Sequence, residues 1–101
     1  MIPQKTIEEL INKHLNLEKD LSSGEIDKKL FAEKSKEYSD INEIIEEAKK
    51  YLSFEKDKIE LEKILNDQTS DNELKKMAET ELIDLKLKNE SNEKKLKIFL
   101  L

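Results

Sequence analysis

The sequence predicts an all-α protein: a long antiparallel helical hairpin, similar to a coiled coil, with a shorter N-terminal helix packed on it. Three observations lead to this prediction. Charged residues make up 43% of the 101-residue chain and only one Gly and one Pro interrupt it, so most of its length can continue as helix. Apolar residues recur at intervals of three and four, the spacing of one helix face. A single polar loop separates the two longest apolar stripes.

The first helix is predicted over residues 6–20. Thr6, followed three residues later by Glu9, is a capping box, in which two side chains satisfy free amides at a helix start. Ser residues and Gly24 then favour a turn. An apolar stripe lies between these signals, and this helix is expected to pack on the hairpin through it: Ile7, Leu10, Ile11, His14, Leu15 and Leu17.

The second helix is predicted over residues 27–66, with Asp27 as its N-cap. No Gly or Pro stops it before the polar loop, but Glu55 and Lys56 interrupt its apolar stripe, so a kink near residues 53–57 is expected. The spacing of the stripe resembles that of a coiled coil. Its members are Phe31, Tyr38, Ile41, Ile45, Ala48, Leu52 and Ile59.

The third helix is predicted over residues 71–99. Ser70 and Glu73 form a second capping box, and negative charge in the first turn suits the helix dipole. Asn89 and Asn92 occupy positions in its apolar stripe. Because only a short loop joins the two long helices, they must run antiparallel. The remaining stripe residues are Leu74, Met77, Ala78, Leu82, Leu85, Leu96 and Phe99.

Composition narrows the classes of function. Residues 1–101 are expected to form a single domain. Cysteine is absent, which excludes disulfides and zinc–thiolate sites, and no apolar run approaches the roughly 20 residues of a membrane span. No secretory signal is visible at the N-terminus, so a cytoplasmic location is the expectation. The net charge is −5 and all 19 basic residues are Lys, which disfavours sequence-specific nucleic-acid contact.

No catalytic, cofactor-binding or metal-binding residue is predicted, and the chain is not expected to be an enzyme. His14 is the only His, so neither a His metal cluster nor a Ser-His-Asp triad can be assembled, and His14 is interpreted as a residue at the boundary of a helix face. The loop from Asp67 resembles the start of a calcium loop, but Asn72 replaces the Gly and Ala78 replaces the Glu that such a loop requires.

Charged residues are interpreted as solvated helix faces. The carboxylate pairs Glu8/Glu9 and Glu46/Glu47 point in different directions from a helix, and Lys residues lie among them. Three pairs are expected to form ion pairs at a spacing of four residues, worth about 0.2–0.5 kcal/mol each. These pairs are Glu46/Lys50, Glu90/Lys94 and Glu93/Lys97.

The end of the chain, residues 96–101, is too apolar to finish a solvated helix. Five of its six residues are apolar: Leu96, Ile98, Phe99, Leu100 and Leu101. Such an end is expected to pack against a partner. That partner is either a following part of its own chain or a second copy of this chain, and the isolated chain is therefore expected to self-associate.

Three segments carry a resemblance to the class I peptide chain release factors of bacteria. Residues 34–41, Lys-Ser-Lys-Glu-Tyr-Ser-Asp-Ile, are similar to part of a long helix in the family's first domain. Residues 73–82 are similar to the start of its next helix, and residues 96–101 to the segment that leads into the catalytic region. The resemblance covers residues 5–101. Because the chain has no Trp, it is more similar to the type-1 members, which read UAA and UAG.

The resemblance implies the N-terminal, ribosome-contacting domain of a cytoplasmic translation termination factor. In the family, the Gly-Gly-Gln loop that promotes peptidyl-tRNA hydrolysis and the tripeptide that reads the codon lie in later regions, so no catalytic residue is carried over. The first domain contacts the GTPase-associated region at the base of the ribosomal stalk, without a cofactor. The alternative is a stand-alone coiled-coil adaptor or oligomerisation protein. A reading frame that continues past Leu101 would favour the release factor.

Overall fold

A computed structural model describes all 101 residues, and it contains four α-helices and no strand. These are α1 (Gln4–Ser23), α2 (Lys28–Asn42), α3 (Ile45–Asn66) and α4 (Asn72–Phe99). Helices α3 and α4 pack against each other along the hairpin, and α1 packs on α2 and α3. The predicted all-α hairpin with a shorter N-terminal helix is confirmed.

The prediction of one helix over residues 27–66 is wrong, because the chain turns at Glu43 and Ile44 between α2 and α3. The amide of Ile44 donates to the carbonyl of Ile41 at 2.9 Å, a tightening typical of a helix end. Ile41, Ile44 and Ile45 are all buried in one core. A straight helix would point Ile44 and Ile45 about 100° apart, so the turn lets both reach that core. The kink expected near residues 53–57 is absent, since α3 is continuous there.

Helix α1 begins two residues before the predicted start. Its N-cap is Pro3, with φ −58° and no side-chain hydrogen bond at the cap, so the predicted capping box at Thr6 is wrong. The Pro3 carbonyl accepts from the amide of Thr6 at 3.1 Å and of Ile7 at 3.4 Å. Proline fixes φ near the helical value, which favours a helix start beside it. The helix ends at Gly24, whose φ of 73° is left-handed and suits the absence of a Cβ.

Aspartates cap the two helices that follow loops. The predicted cap of α2 is confirmed, because Asp27 Oδ1 accepts from the amide of Leu30 at 3.0 Å. At the start of α4, Asp71 Oδ1 accepts from the amide of Leu74 at 2.7 Å. The predicted cap at Ser70 is therefore wrong by one residue. Both side chains can cap a helix, and the path of the loop decided between them.

Replacing Asp71 with Ala should lower the free energy of unfolding by about 0.5–2 kcal/mol, because an amide at the start of α4 loses its hydrogen-bond acceptor. The matched control is Ser70→Ala, one residue earlier, which is expected to change stability by less than ~0.5 kcal/mol. Urea denaturation followed by circular dichroism measures both. An equal or larger loss for the Ser70 variant would show that Asp71 is not the cap.

The buried core lies at one end of the hairpin. Residues 1–51 and 93–101 form this end, called the head, and residues 52–92 form a two-helix extension, called the arm. The molecule measures 60 × 27 × 20 Å. Only Ala78 is buried in the arm. The head contains the core cluster: Ile2, Ile7, Leu10, Leu17, Ile41, Ile44, Ile45, Ala48 and Leu96.

Candidate functional site

His14 lies in the core of the head. Its side chain is only 8% exposed, so its interpretation as a boundary residue is wrong. The imidazole stacks on Tyr38 with ring centres 4.7 Å apart, and Nε2 lies 3.0 Å from Asn42 Oδ1. These contacts join α1 to the end of α2. The imidazole is buried and already has a polar partner, so its role in the structure is packing.

The loop at the tip of the arm uses its first carboxylate internally. Asp67 Oδ1 accepts from the amide of Thr69 at 2.8 Å and from its hydroxyl at 2.7 Å. The hydroxyl contact, and then the amide contact, lower the pKa of Asp67 below its ordinary value because both stabilise the carboxylate. No group of three His, Cys, Asp or Glu residues in the structure is arranged to hold a metal ion. The tip is a hydrogen-bonded turn between two helices.

Only one of the three expected ion pairs forms. Lys97 Nζ lies 3.0 Å from Glu93 Oε1, whereas Glu46/Lys50 and Glu90/Lys94 are not paired. The other ion pair at this spacing in α4 joins Asp84 and Lys88. Glu90 and Lys94 therefore keep their charges exposed and without a partner in the chain.

Glu93 also connects the N-terminus to α4, which the sequence did not predict. Its Oε1 lies 3.2 Å from the Met1 amine, and the amide of Ile2 donates to the hydroxyl of Tyr51 at 3.1 Å. The hydrogen bond from Lys97, and then that from the N-terminal amine, lower the pKa of Glu93 below its ordinary value. These contacts hold Ile2 in the core of the head.

Replacing Glu93 with Gln should lower the thermal midpoint at neutral pH and have little effect in acid. A carboxylate with a lowered pKa in the folded state contributes stability above the ordinary value of 4.5, and this contribution is lost as pH falls through the folded-state pKa. The difference in midpoint between wild type and Glu93→Gln is therefore expected to shrink below pH 4.5. Glu90→Gln, which removes an unpaired carboxylate, is the matched control. A difference that grows in acid would contradict the assignment.

A groove of about 540 Å³ runs along the arm between α3 and α4. Its apolar floor is formed by Phe54, Leu61, Ile64 and Leu85, and charged side chains line its edges. Asn89 also lines it, and its buried Oδ1 has no hydrogen-bond partner. A polar residue at such a seam position weakens packing. The arm is thus held together by a thin, partly polar seam.

The structure presents exposed helix surfaces and an elongated shape. None of the four helices is both long and apolar enough to cross a membrane. Reactive side chains do not converge at any point described above, while the arm exposes two helix faces and a loop. The fold defines a helical-hairpin domain with a compact head and a projecting arm.

Comparison with known proteins identifies the family of this domain. The PCRF domain family matches residues 10–101, and the chain belongs to that family. Over all 101 residues the chain is 71% identical to peptide chain release factor 1 of Pelagibacter ubique (strain HTCC1062). The chain spans 28% of the length of that relative. No solved structure matches the chain significantly. The predicted relationship to the release factors is confirmed.

Proposed function

We propose that this chain is the N-terminal, ribosome-contacting domain of a cytoplasmic translation termination factor. At full length that factor reads the stop codons UAA and UAG and triggers hydrolysis of peptidyl-tRNA. The observation that carries the proposal is the 71% identity to peptide chain release factor 1, which extends over every residue of the chain. The match of the PCRF domain to residues 10–101 agrees with it.

In this proposal the domain orients the factor on the ribosome, and other regions of the factor carry out the chemistry. Its only His is buried, and it contains no Cys, so it offers neither an exposed imidazole as a general base nor a thiolate nucleophile. Its arm carries 15 residues of α3 beyond the head, 52–66, and so projects about 22 Å. A helical extension of this length holds a head and a tip at a fixed separation, which suits a domain that orients a larger factor.

The surface charge favours protein contacts over contacts with RNA. The net charge is −5, which opposes association with phosphates. The tip carries Asp67 and Asp71, both exposed. These features support contact with protein components of the GTPase-associated region at the base of the ribosomal stalk. Neither a cofactor nor a membrane takes part in the proposed contact.

Binding of the isolated chain to ribosomes tests the contact. We expect it to sediment with ribosomes and with large subunits, and to do so less at high salt because the contact is partly electrostatic. A variant that lacks the outer arm, residues 59–81, with a short Gly-rich turn in their place, is expected to keep its head and lose binding. Absence of the intact chain from the ribosomal pellet at all salt concentrations would contradict the proposal.

Peptide release by the full reading frame tests the larger function. The full-length factor should release peptide at UAA and UAG and not at UGA. Removing residues 59–81 from it is expected to raise KM and leave kcat nearly unchanged, because the arm contributes binding and not chemistry. Release by the 101-residue chain alone would contradict the proposed division of labour.

The second candidate is a stand-alone coiled-coil adaptor or oligomerisation protein with no role in termination. The feature that favours it is the exposed apolar surface of α4 and of the chain end, including Ile98 at 71% exposed. It predicts a reading frame that stops after Leu101 and a chain that ignores ribosomes. A frame that continues into a region with a Gly-Gly-Gln loop would exclude it.

A further inference from the structure

The groove between α3 and α4, called the arm groove, leaves the apolar seam of the arm open along one side. Its floor residues Phe54, Leu61 and Leu85 are only partly covered, unlike the core cluster of the head. On α3, Phe54, Leu61 and Ile64 are separated by seven and then three residues, which keeps them on one helix face. The floor is therefore a continuous apolar strip.

The edges of the arm groove are mainly acidic, because four carboxylates and only two lysines line them. The carboxylates are Asp57 and Glu60 on α3 and Glu81 and Asp84 on α4. Lys88 is already paired with Asp84, at 2.9 Å, and the other lysine, Lys50, belongs to the head. Both edges of the outer groove therefore carry negative charge.

Three of these carboxylates have no cation within the chain. Asp57, Glu60 and Glu81 take part in none of its ion pairs. Asp57 accepts a hydrogen bond from the hydroxyl of Ser53 at 3.1 Å, whereas Glu60 and Glu81 are exposed. Lys and Arg can lay their apolar stems along an apolar surface and direct their charge to a carboxylate at its edge. The arm groove is therefore complementary to a segment with an apolar centre and basic flanks.

Charge and length select the kind of occupant. A second copy of the arm groove would bring the same acidic edges, and a nucleic acid would bring phosphates, so both are repelled. The groove extends from Lys50 to Ile64 along α3, about 21 Å or four helical turns. A third helix of about 14 residues fits this length. Packed across two antiparallel helices, it would cover the floor with its apolar face and place basic residues at both edges.

We propose that the arm groove is a docking site for a basic amphipathic helix of another protein, which completes a three-helix bundle with α3 and α4. The apolar floor supplies the affinity, and the carboxylates at the edges select the charge of the partner. Because these carboxylates lie at the surface, the contact weakens as salt concentration rises. The inference goes beyond the proposed role in termination and depends on the arm alone.

Binding of a synthetic peptide tests the docking site. The probe is a fluorescent peptide of about 14 residues, with Leu at intervals of three and four and Lys on both flanks of the Leu stripe. Fluorescence anisotropy should show saturable, one-to-one binding to the chain that weakens with salt. A second peptide, in which Glu replaces every Lys, is expected not to bind. A wild-type chain that binds neither peptide, or both equally, would overturn the inference.

Charge reversal at both edges locates the site. The double variant Glu60→Lys, Glu81→Lys is expected to raise the dissociation constant of the Lys peptide at least about tenfold and to gain binding of the Glu peptide. Its matched control is Glu33→Lys, Glu79→Lys, which makes the same change in net charge at exposed positions outside the groove. The control should stay within about threefold of wild type, and circular dichroism should show unchanged helix content in both. Equal losses for the two double variants would mean that only net charge attracts the peptide, which would overturn the inference.

The protein encoded by the full reading frame distinguishes a separate partner from another region of the same chain. It should bind the Lys peptide with a dissociation constant within about threefold of that of the 101-residue chain. Loss of peptide binding in the longer protein would show that its own chain fills the groove, and would overturn the assignment to another protein. None of these measurements involves a ribosome, so their failure is distinct from failure of the proposed function.

Discussion

Replacing Leu96 with Ala is expected to lower the free energy of unfolding by about 2–5 kcal/mol. The side chain of Leu96 is 0% exposed and belongs to the core of the head, so the substitution removes buried carbon atoms and leaves a cavity. In a domain of this size each kcal/mol shifts the thermal midpoint by about 4–8 °C, so a fall of at least ~8 °C is expected. Urea and thermal denaturation followed by circular dichroism measure the change.

The matched control for this cavity is Leu15→Ala. Leu15 is 47% exposed and makes no contribution to the core cluster. The same change of side chain should therefore cost far less there, because less apolar surface is returned to water. Equal losses for the two variants would show that the end of α4 is not held in the head. That result would also mean that the head does not hold the arm in place.

Replacing Ala48 with Leu should also destabilise the protein, by about 1–3 kcal/mol, because a well-packed core does not accept added carbon atoms without shifting its neighbours. Ala48 is 0% exposed and lies on α3 within the core cluster, where α1 packs against this helix. A larger side chain is expected to push α1 away from α3. The midpoint of urea denaturation measures the loss.

Ala32→Leu is the control for the enlarged side chain. Ala32 is exposed on α2, and Leu is nearly as favourable as Ala within a helix. We therefore expect a change within ~0.5 kcal/mol at this position. A stability at Ala48→Leu equal to that of the wild type would mean that the core has unfilled space beside α3.

Local patterns were sufficient to predict most of the fold. The apolar stripe of residues 71–99 indicates a long helix because the helical period is a property of the chain itself. The polar loop beginning at Asp67 then determines an antiparallel hairpin, since a short connection leaves no other path. The expectation that the chain carries no catalytic residue, which was drawn from the absence of Cys and the single His, stays a prediction.

Other features depend on contacts between distant residues, and the sequence did not predict them. The second long stripe is compatible with one helix or two, and the chain turns at Glu43 and Ile44, where Ile41, Ile44 and Ile45 enter the core that α1 also helps to form. His14 has neighbours typical of a boundary, and its burial follows from Tyr38 and Asn42, which lie 24 and 28 residues away. The contact of Met1 with Glu93 has no local signal at all.

The sequence by itself determined that this protein is an antiparallel helical hairpin of the release-factor type. Helix periodicity, capping residues and family resemblance are all properties of short segments. Only the tertiary structure decided where the second stripe breaks, which side chains form the head, and which face of α4 remains free. Burial is the physical reason, because whether an apolar residue is covered depends on which helix lies across it.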